Sequence, residues 1–434
     1  MLETGVYFLL ISRHQRRING NIRSIVKPYI QERILRQAYS GNVAGEGLET
    51  IPPRGKAEQL IDAAFELARR AGFEAITIRG VATEAGVSLQ TVHKYLGPMS
   101  GVRRAAVARL ISHLTDWHAA RQRGPYTGLA PITAEGMVLS TLNELAGMHR
   151  GAALLWEEAL NTGQYSELVA AERGFVAYWH ERLLQLGCRH DEATVWVDFM
   201  CGLIPLILLD GSSESIQSWY PLLVRRLSDR LCRRPSFPEK VFPFHPLEVD
   251  FAPPVSEAAY KILDAAIHIL AEQGGGEFTH RAVAARAGVS SATPAYFFSS
   301  RAHLIIATIH EIFRRTSIRV RQQDGAESGL AYNVLDGDGR IREELRAIHK
   351  VFNVVARDAQ LAPGVMALRD FRGPAAREAL QHYGIEVDNV DSFIASTVFE
   401  GVLRQSRLPA GDLTDFVEAR LALHRNVLFS HLRT

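Results

Sequence analysis

The chain of 434 residues repeats one stretch of its own sequence 202 residues later. Residues 61–88 align without a gap with residues 263–290, and thirteen positions are identical when this frame is extended to Thr91 and Thr293. The identical pairs are Asp62/Asp264, Ala63/Ala265, Ala64/Ala266, Gly72/Gly274, Thr77/Thr279, Arg79/Arg281, Val81/Val283, Ala82/Ala284, Ala85/Ala287, Gly86/Gly288, Val87/Val289, Ser88/Ser290 and Thr91/Thr293. A self-match at a fixed offset predicts that a structural unit is duplicated.

Composition and charge exclude several classes of protein. The residues are 47% hydrophobic and 22% charged, which fits a globular protein of two or three domains. The net charge is only +2, so binding to a nucleic acid would have to depend on local basic patches. Cys188, Cys201 and Cys232 have no metal-ligand spacing, so we expect buried thiols in a reducing cytoplasm. The longest apolar run, 199–209, is too short to span a bilayer.

The repeated unit has the pattern of three helices. Apolar residues at helical spacing over 60–68 predict the first, and Gly72 stands where its end needs a left-handed backbone. Thr77 is placed to N-cap a second helix, Gly86 to make a tight turn, and Ser88 to N-cap a third. Two short helices around a glycine turn predict a helix-turn-helix.

The pattern is helical almost throughout, so we expect an all-α chain. Gly202 and Gly401, in similar late segments, are 199 residues apart, which indicates that a whole two-domain module is duplicated. The expected segments are a basic extension and linker (1–55), a first helix-turn-helix head (56–102), a first helical regulatory block (103–232), a proline-rich linker (233–256), a second head (257–312) and a second regulatory block (313–434).

The heads resemble the amino-terminal domain of the tetracycline-repressor (TetR) family of transcriptional regulators. The resemblance rests on Ala63-Ala64, Gly72-Phe73, Thr77-Ile78, Val81-Ala82, Ala85-Gly86-Val87-Ser88 and residues 91–96, and on their counterparts around 265–304. It implies DNA binding, a small-molecule effector, and a carboxy-terminal helical domain that binds ligand and dimerises. Since family members usually act as homodimers, this chain resembles two fused subunits, an intrachain pseudo-dimer.

The chain departs from the family pattern at a few positions. His93 and Ala295 stand where the third helix usually has tyrosine, and Met99 and Arg301 stand where the fourth usually opens with a phosphate-facing lysine. Pro294 lies near the start of its helix, where proline is tolerated, so we expect the third helix to survive in the second head.

Candidate DNA contacts follow from the need to reach phosphates and base edges in the major groove. They are Thr77, Arg79, Ser88, Leu89, Gln90, Thr91, His93, Lys94 and Tyr95 in the first head, and Thr279, Arg281, Ser290, Ser291, Thr293, Tyr296 and Arg301 in the second. Tyr95 and Phe297 could equally pack inward. Residues 55–110 hold eight basic and five acidic residues (+3), whereas 257–311 hold four and five (−1), which favours the first head.

In the first regulatory block, Trp156, Tyr178, Trp179 and Trp196 could line a ligand pocket, although core packing is the simpler interpretation of each. His149, Glu157 and Glu158 do not have the spacing of a metal site. No catalytic constellation, cofactor motif or metal set is recognisable. We therefore expect a non-enzymatic protein of the cytoplasm, associated with the nucleoid.

Two functions fit these patterns. The first is a repressor that reads an asymmetric operator with two different heads and is released by a small molecule. The second is a ligand-sensing or protein-interaction protein whose heads no longer bind DNA. Within the first, a single chain or a pair of chains with four heads would both be compatible with the sequence.

Overall fold

The computed structural model describes residues 54–123, 133–209, 213–242, 256–273, 278–322, 335, 342–361, 368–369, 372–406 and 412–432. Regular structure in these ranges is helical, apart from isolated bridge residues at Leu335 and Ile385, and the all-α prediction is confirmed. The chain divides into two compact units, Met1–Ala119 and Ala120–Thr434. The predicted extension and the second half of the proline-rich linker lie almost wholly outside the described residues, as does Gly274.

The first unit contains the first head. Its helices are α1 (Arg54–Ala71), α2 (Ile78–Ala85), α3 (Leu89–Leu96) and the start of α4 (Met99–Arg123), which continues into the second unit. Leu60, Phe65, Val81, Val92 and Leu110 are all buried, so each of the four helices contributes an apolar face to one core.

The second unit contains the rest of the chain. The helices of the first regulatory block are α5 (Ala134–Ala146), α6 (Arg150–Thr162), α7 (Ser166–Gln185), α8 (His190–Leu209) and α9 (Ser213–Leu231). The second head consists of α10 (Glu257–Gln273), α11 (His280–Ala287), α12 (Thr293–Phe297) and α13 (Arg301–Arg321), and the second block of α14 (Glu343–Arg357), α15 (Pro374–Gln381), α16 (Asn389–Gln405) and α17 (Leu413–His424). Helix α10 packs along α14.

The helix-turn-helix of both heads is built from the same local interactions. The hydroxyl of Thr77 accepts a hydrogen bond from the backbone N–H of Gly80 at 2.9 Å, and Thr279 accepts one from Ala282 at 3.1 Å. Gly86 and Gly288 end these helices in the left-handed conformation, with φ of 63° and 67°. The predicted caps and turns are confirmed, because they depend only on neighbours in the sequence.

One ion pair occurs at the same place in both heads, but its basic and acidic residues have exchanged positions. In the first head Arg70 of α1 pairs with Glu84 of α2 at 2.6 Å. In the second head Glu272 of α10 occupies the position of Arg70, and it pairs at 2.8 Å with Arg286 of α11, which occupies the position of Glu84. The reversed pair shows that the two heads fold alike while their surface charges differ.

The third helix is shorter in the second head than in the first. Helix α3 has eight residues, but α12 has five and starts two positions later in the repeat frame. The helix survives with Pro294 at its start, as expected, but it is shortened. Proline lacks an N–H to donate to position 290 and disfavours helical backbone at the preceding residue, so the helix begins only at Thr293.

The regulatory blocks meet where α8 crosses α16. Gly202 of α8 and Gly401 of α16 lie at this crossing, and a Cβ built on Gly202 would come within 1.8 Å of the carbonyl oxygen of Thr397. A Cβ on Gly401 would lie 1.7 Å from the carbonyl oxygen of Asp198. The backbones of equivalent helices therefore touch within one chain, in the arrangement expected of an intrachain pseudo-dimer.

Buried ion pairs join the blocks on both sides of this crossing. Asp198 of α8 is fully buried and accepts hydrogen bonds from Arg420 and His424 of α17, at 3.0 and 2.7 Å. Asp391 of α16 likewise accepts from Arg230 of α9, whose Nε lies 3.0 Å away. Each central helix thus offers a carboxylate to the last long helix of the other repeat.

Helix α8 is long and apolar enough to cross a membrane by length and composition. Within its most apolar window, however, 83% of the residues are buried inside the protein, against α16 and other helices. This burial identifies α8 as a core helix, which agrees with the expectation that its apolar run does not span a bilayer.

Candidate nucleic-acid interface

The third helix of the first head has one buried and one exposed face. Val92 and Leu96 are buried against the core, whereas Gln90, His93 and Lys94 are exposed. Leu89, at the first position of the helix, is 43% exposed. The exposed set offers an amide, an imidazole, an ammonium and an apolar group to a groove.

Other predicted residues of this helix have structural partners. Ser88 caps the helix by accepting a hydrogen bond from the N–H of Thr91 at 3.2 Å, and the two hydroxyls lie 2.9 Å apart. Thr91 and Tyr95 are half-buried. These three side chains therefore contribute to the structure of the helix, and only their exposed atoms can contact DNA.

Basic residues of the first head differ in whether they form an ion pair with an acidic side chain. Arg70 pairs with Glu84, and Arg109 pairs with Asp62 at 2.6 Å. Arg79 is exposed beside the N-terminus of α2 and forms no ion pair with a described residue. A free guanidinium next to a helix N-terminus capped by Thr77 is suited to a phosphate.

The second head presents a different set of side chains. Arg281, Ser290 and Ser291 are exposed, and Thr293 is half-buried with its hydroxyl 2.7 Å from that of Ser290. Tyr296 is 85% exposed and touches the ring of Phe297 edge-on, with the ring centroids 5.1 Å apart. An aromatic ring this exposed on the third helix is the most prominent feature of the second head.

Arg301, a predicted phosphate contact, is engaged within the protein. Its Nε donates to the carbonyl oxygen of Phe278 at 3.1 Å, and its Nη1 lies 3.3 Å from a carboxylate oxygen of Asp358. Two of its nitrogens are thereby directed at groups of the protein itself. Met99, at the equivalent place in the first head, carries no charge and is half-buried.

Comparison with known families identifies the heads. The sequence profile of the family described as "Bacterial regulatory proteins, tetR family" matches two segments, residues 60–97 and 262–308. Both heads belong to the tetR family. The matches cover α1–α3 in the first head and α10–α12 with part of α13 in the second. A search of curated proteins finds no matching relative. The tetR-type heads make the chain a helix-turn-helix transcription regulator.

The four aromatic residues predicted for a ligand pocket of this tetR-family regulator lie mainly in the core. Trp156, Trp179 and Trp196 are buried and Tyr178 is half-buried. The indole N–H of Trp156 donates to Glu172 at 2.7 Å. A cavity among the described helices lies elsewhere, between α6, α8, α14 and α16, and none of the four residues lines it.

This cavity is small, and a few charged side chains stand in a mainly apolar lining. It has room for about one or two water molecules. Its lining includes Glu157, His349, Glu400 and Arg404, and the Nε2 of His349 lies 3.1 Å from Glu400. Residues from both repeats contribute, so anything that entered the cavity would contact both.

Arg404 is the buried cation at this cavity. Its Nη2 lies 2.7 Å from Glu157 and 3.1 Å from Glu172, both on the first repeat. Burial by itself would lower the pKa of Arg404, but the two carboxylates outweigh burial and hold the pKa above its usual value. The sequence does not reveal this cluster because Arg404 is more than 230 residues away from both carboxylates.

The cysteines follow the prediction only in part. Cys201 is buried, and burial raises the pKa of its thiol to about 12, so it is not a nucleophile at neutral pH. Cys188 is half-buried. Cys232 is exposed, contrary to our prediction, because it directly follows α9, whose last residue, Leu231, is the one that packs inward.

Proposed function

We propose that this tetR-type regulator is a transcriptional repressor that reads an asymmetric operator with two non-identical heads and is released by a small-molecule effector. The observation that carries the proposal is that two helix-turn-helix units, which share a threonine N-cap and a left-handed glycine turn, display different exposed side chains. Gln90, His93 and Lys94 are exposed on the third helix of the first head. In the second head Tyr296 is exposed on the third helix, and Ser291 is exposed just before it. Two different readers require two different half-sites, and only identical subunits require a palindrome.

The two heads contribute to affinity in different ways under this proposal. The first supplies phosphate contacts through Arg79 and base or phosphate contacts through Lys94, and its sequence carries the surplus of positive charge. The second has Arg281 at the equivalent helix start but few other free cations, so it would rely on hydroxyls and the Tyr296 ring. We expect the first head to dominate the dependence of binding on salt.

The cavity at Arg404 is our candidate for the place where an effector acts. It lies against α14, and α10 of the second head packs along that same helix. A ligand larger than water would need the lining helices to separate, and a shift of α14 would move α10 with it. Release from DNA then follows if the displaced arrangement binds the ligand better than the operator-bound one does.

The proposal also favours one chain per operator. The α8–α16 crossing occupies, inside the chain, the surface that separate subunits of this family would use to pair. We therefore propose a pseudo-dimeric monomer in the cytoplasm. Light scattering tests this directly, because a mass near 48.2 kDa is expected and a doubled mass would indicate a four-headed assembly.

Footprinting on the promoter upstream of the chain's own gene tests the operator. We expect two protected half-sites of different sequence, and a perfect inverted repeat would contradict the proposal. The double substitution Arg79→Ala with Lys94→Ala should weaken binding at least tenfold and flatten its salt dependence. Arg189→Ala is a matched control, since it removes an exposed cation outside both heads and should leave both quantities unchanged.

The alternative is a sensor or interaction protein whose heads have lost DNA binding. It is favoured by the net charge of −1 in the second head, by the uncharged Met99 and by the inward engagement of Arg301. If the Arg79/Lys94 double variant keeps the affinity and the salt slope of the unmodified protein, the alternative is preferred.

A further inference from the structure

Three metal-ligating side chains converge where the second head meets its regulatory block. His268 and Glu272 are four residues apart on α10, and Glu343 opens α14. One donor atom from each lies within 4.8 Å of the other two. The Nδ1 of His268 and a carboxylate oxygen of Glu343 are in direct contact.

The donor set matches a particular class of ion. One imidazole nitrogen and two carboxylates form a three-ligand Zn²⁺ site, with the fourth position open to water. Donor atoms around tetrahedral zinc are separated by about 3.3 Å, so side-chain movements of roughly 1.5 Å would complete the site. Glu343 and His268 are half-buried and need little further ordering.

The second ring nitrogen of His268 faces a carboxylate. Its Nε2 faces a carboxylate oxygen of Asp264 at 3.6 Å, and the other oxygen of Asp264 is held by Arg315 at 2.8 Å. Histidines that bind metals usually direct the second nitrogen at a carboxylate, which fixes the ring and the tautomer. Asp264 supplies that orientation from one helical turn away.

One cation competes with a metal for this cluster. Arg286 of α11 donates to both carboxylate oxygens of Glu272, at 2.8 and 3.0 Å. A metal bound to Glu272 must share or displace this guanidinium. The nearby ammonium of Lys350 donates to the backbone oxygen of Glu272, at 2.9 Å.

We propose that His268, Glu272 and Glu343 form a binding site for a divalent transition-metal ion of the Zn²⁺ class. The ion joins the first helix of the second head to α14 of the second regulatory block. It also adds two positive charges beside a head whose own net charge is −1. Its effect on DNA binding rests on the function proposed above, whereas the site itself does not.

Zn²⁺ titration of the untagged full-length chain tests the site by isothermal calorimetry and by retained metal after dialysis. We expect one site per chain, loss of at least tenfold in affinity in His268→Gln and Glu343→Gln, and several-fold tighter binding in Arg286→Ala, where the competitor is removed. His303→Ala is the matched control, because it removes an exposed histidine of the same head and should leave binding unchanged. Circular dichroism of each variant separates loss of the site from loss of the fold.

Co²⁺ gives a second readout, since its visible absorption reports ligand number and type. Bands that appear with the unmodified chain should disappear in His268→Gln. Zn²⁺ binding that is absent, or equal in His268→Gln and the unmodified chain, overturns the site. Operator affinity measured with and without Zn²⁺ is scored separately, so a chain that binds zinc but not DNA refutes the proposed function and leaves the metal site standing.

Discussion

Gly202 and Gly401 occupy corresponding places in the two repeats, and each lies against the backbone of the other's helix. Any side chain at either position would overlap a carbonyl oxygen at less than 2 Å. Backbone contact this close brings the flanking apolar residues of α8 and α16 together. Because the atoms in the way belong to the backbone, no change of side-chain rotamer could make room for an added methyl group. The contact between the repeats is therefore more sensitive to added volume than to lost apolar area.

Substitution of Gly401 by alanine should destabilise the protein by about 3 kcal/mol or more, because the helices must separate to accept one methyl group. Urea unfolding followed by circular dichroism measures the change. Gly174→Ala is the control: it lies within α7 with no atom near the added methyl, so it should stabilise the protein by about 0.5–1 kcal/mol. Equal effects of the two substitutions would contradict the tight crossing.

Asp198→Asn should be costly for a different reason. The carboxylate is fully buried and accepts hydrogen bonds from Arg420 and His424 of the other repeat. Removing its charge leaves Arg420 without its counter-ion, and breaking such a pair typically costs about 3–5 kcal/mol. Thermal unfolding of this variant, beside Asp191→Asn at the exposed start of the same helix, checks the expectation. A shift no larger than that of Asp191→Asn would mean that the pair does not support the interface.

Sequence reasoning succeeded where structure depends on close neighbours. The caps at Thr77 and Thr279 and the turns at Gly86 and Gly288 involve residues at most five positions apart, so local pattern predicts them. The repeat offset then predicted the fold of the second head from that of the first. Gly202 and Gly401 were recognisable as equivalent from their similar segments, at an offset of 199 rather than 202, but the sequence did not predict that they touch.

Long-range chemistry was not predictable in this way. Arg404 meets Glu157, and His268 meets Glu343, only because helices distant in the sequence pack together. A buried Asp198 within an apolar run was a usable signal, since a lone carboxylate there implies a partner. The shortening of α12 was missed because the effect of Pro294 was judged from its own missing N–H alone.

The reversed ion pair of the heads predicts a charge-swap rescue. Arg70→Glu places two carboxylates opposite each other and should destabilise the first head by about 0.5–1 kcal/mol, a small value because both side chains are partly exposed. Adding Glu84→Arg recreates the arrangement of Glu272 and Arg286 and should recover most of the loss. Urea unfolding of the single and double variants forms the test. Failure of the double variant to recover would mean that the two heads are not interchangeable here.

Stability should fall in mild acid because of two half-buried histidines. Burial first, and then Arg109 and Arg69, lower the pKa of His113, while burial and His190 lower that of His180. The unfolded chain binds protons more readily near the ordinary pKa of 6.5, so folding stability is present above that pH and is lost as the pH falls below it. Unfolding free energies at about pH 7.5 and about pH 5.5 should differ less in His113→Gln than in the unmodified protein. An exposed-site control, His93→Gln, should keep the full difference.

Because the two third helices expose different side chains, a substitution on one of them should affect protection of only one half-site of the operator. Tyr296→Ala removes the exposed ring of the second head and should weaken operator binding about tenfold, in the range of one lost base contact. Gln90→Ala should cost a similar factor through the first head. Base-resolution footprints of the two variants should lose protection in opposite halves of the operator, and Tyr296→Phe should behave like the unmodified protein if the ring rather than the hydroxyl makes the contact. Loss of protection in the same half for both variants, or in neither, would refute the assignment of one head to each half-site.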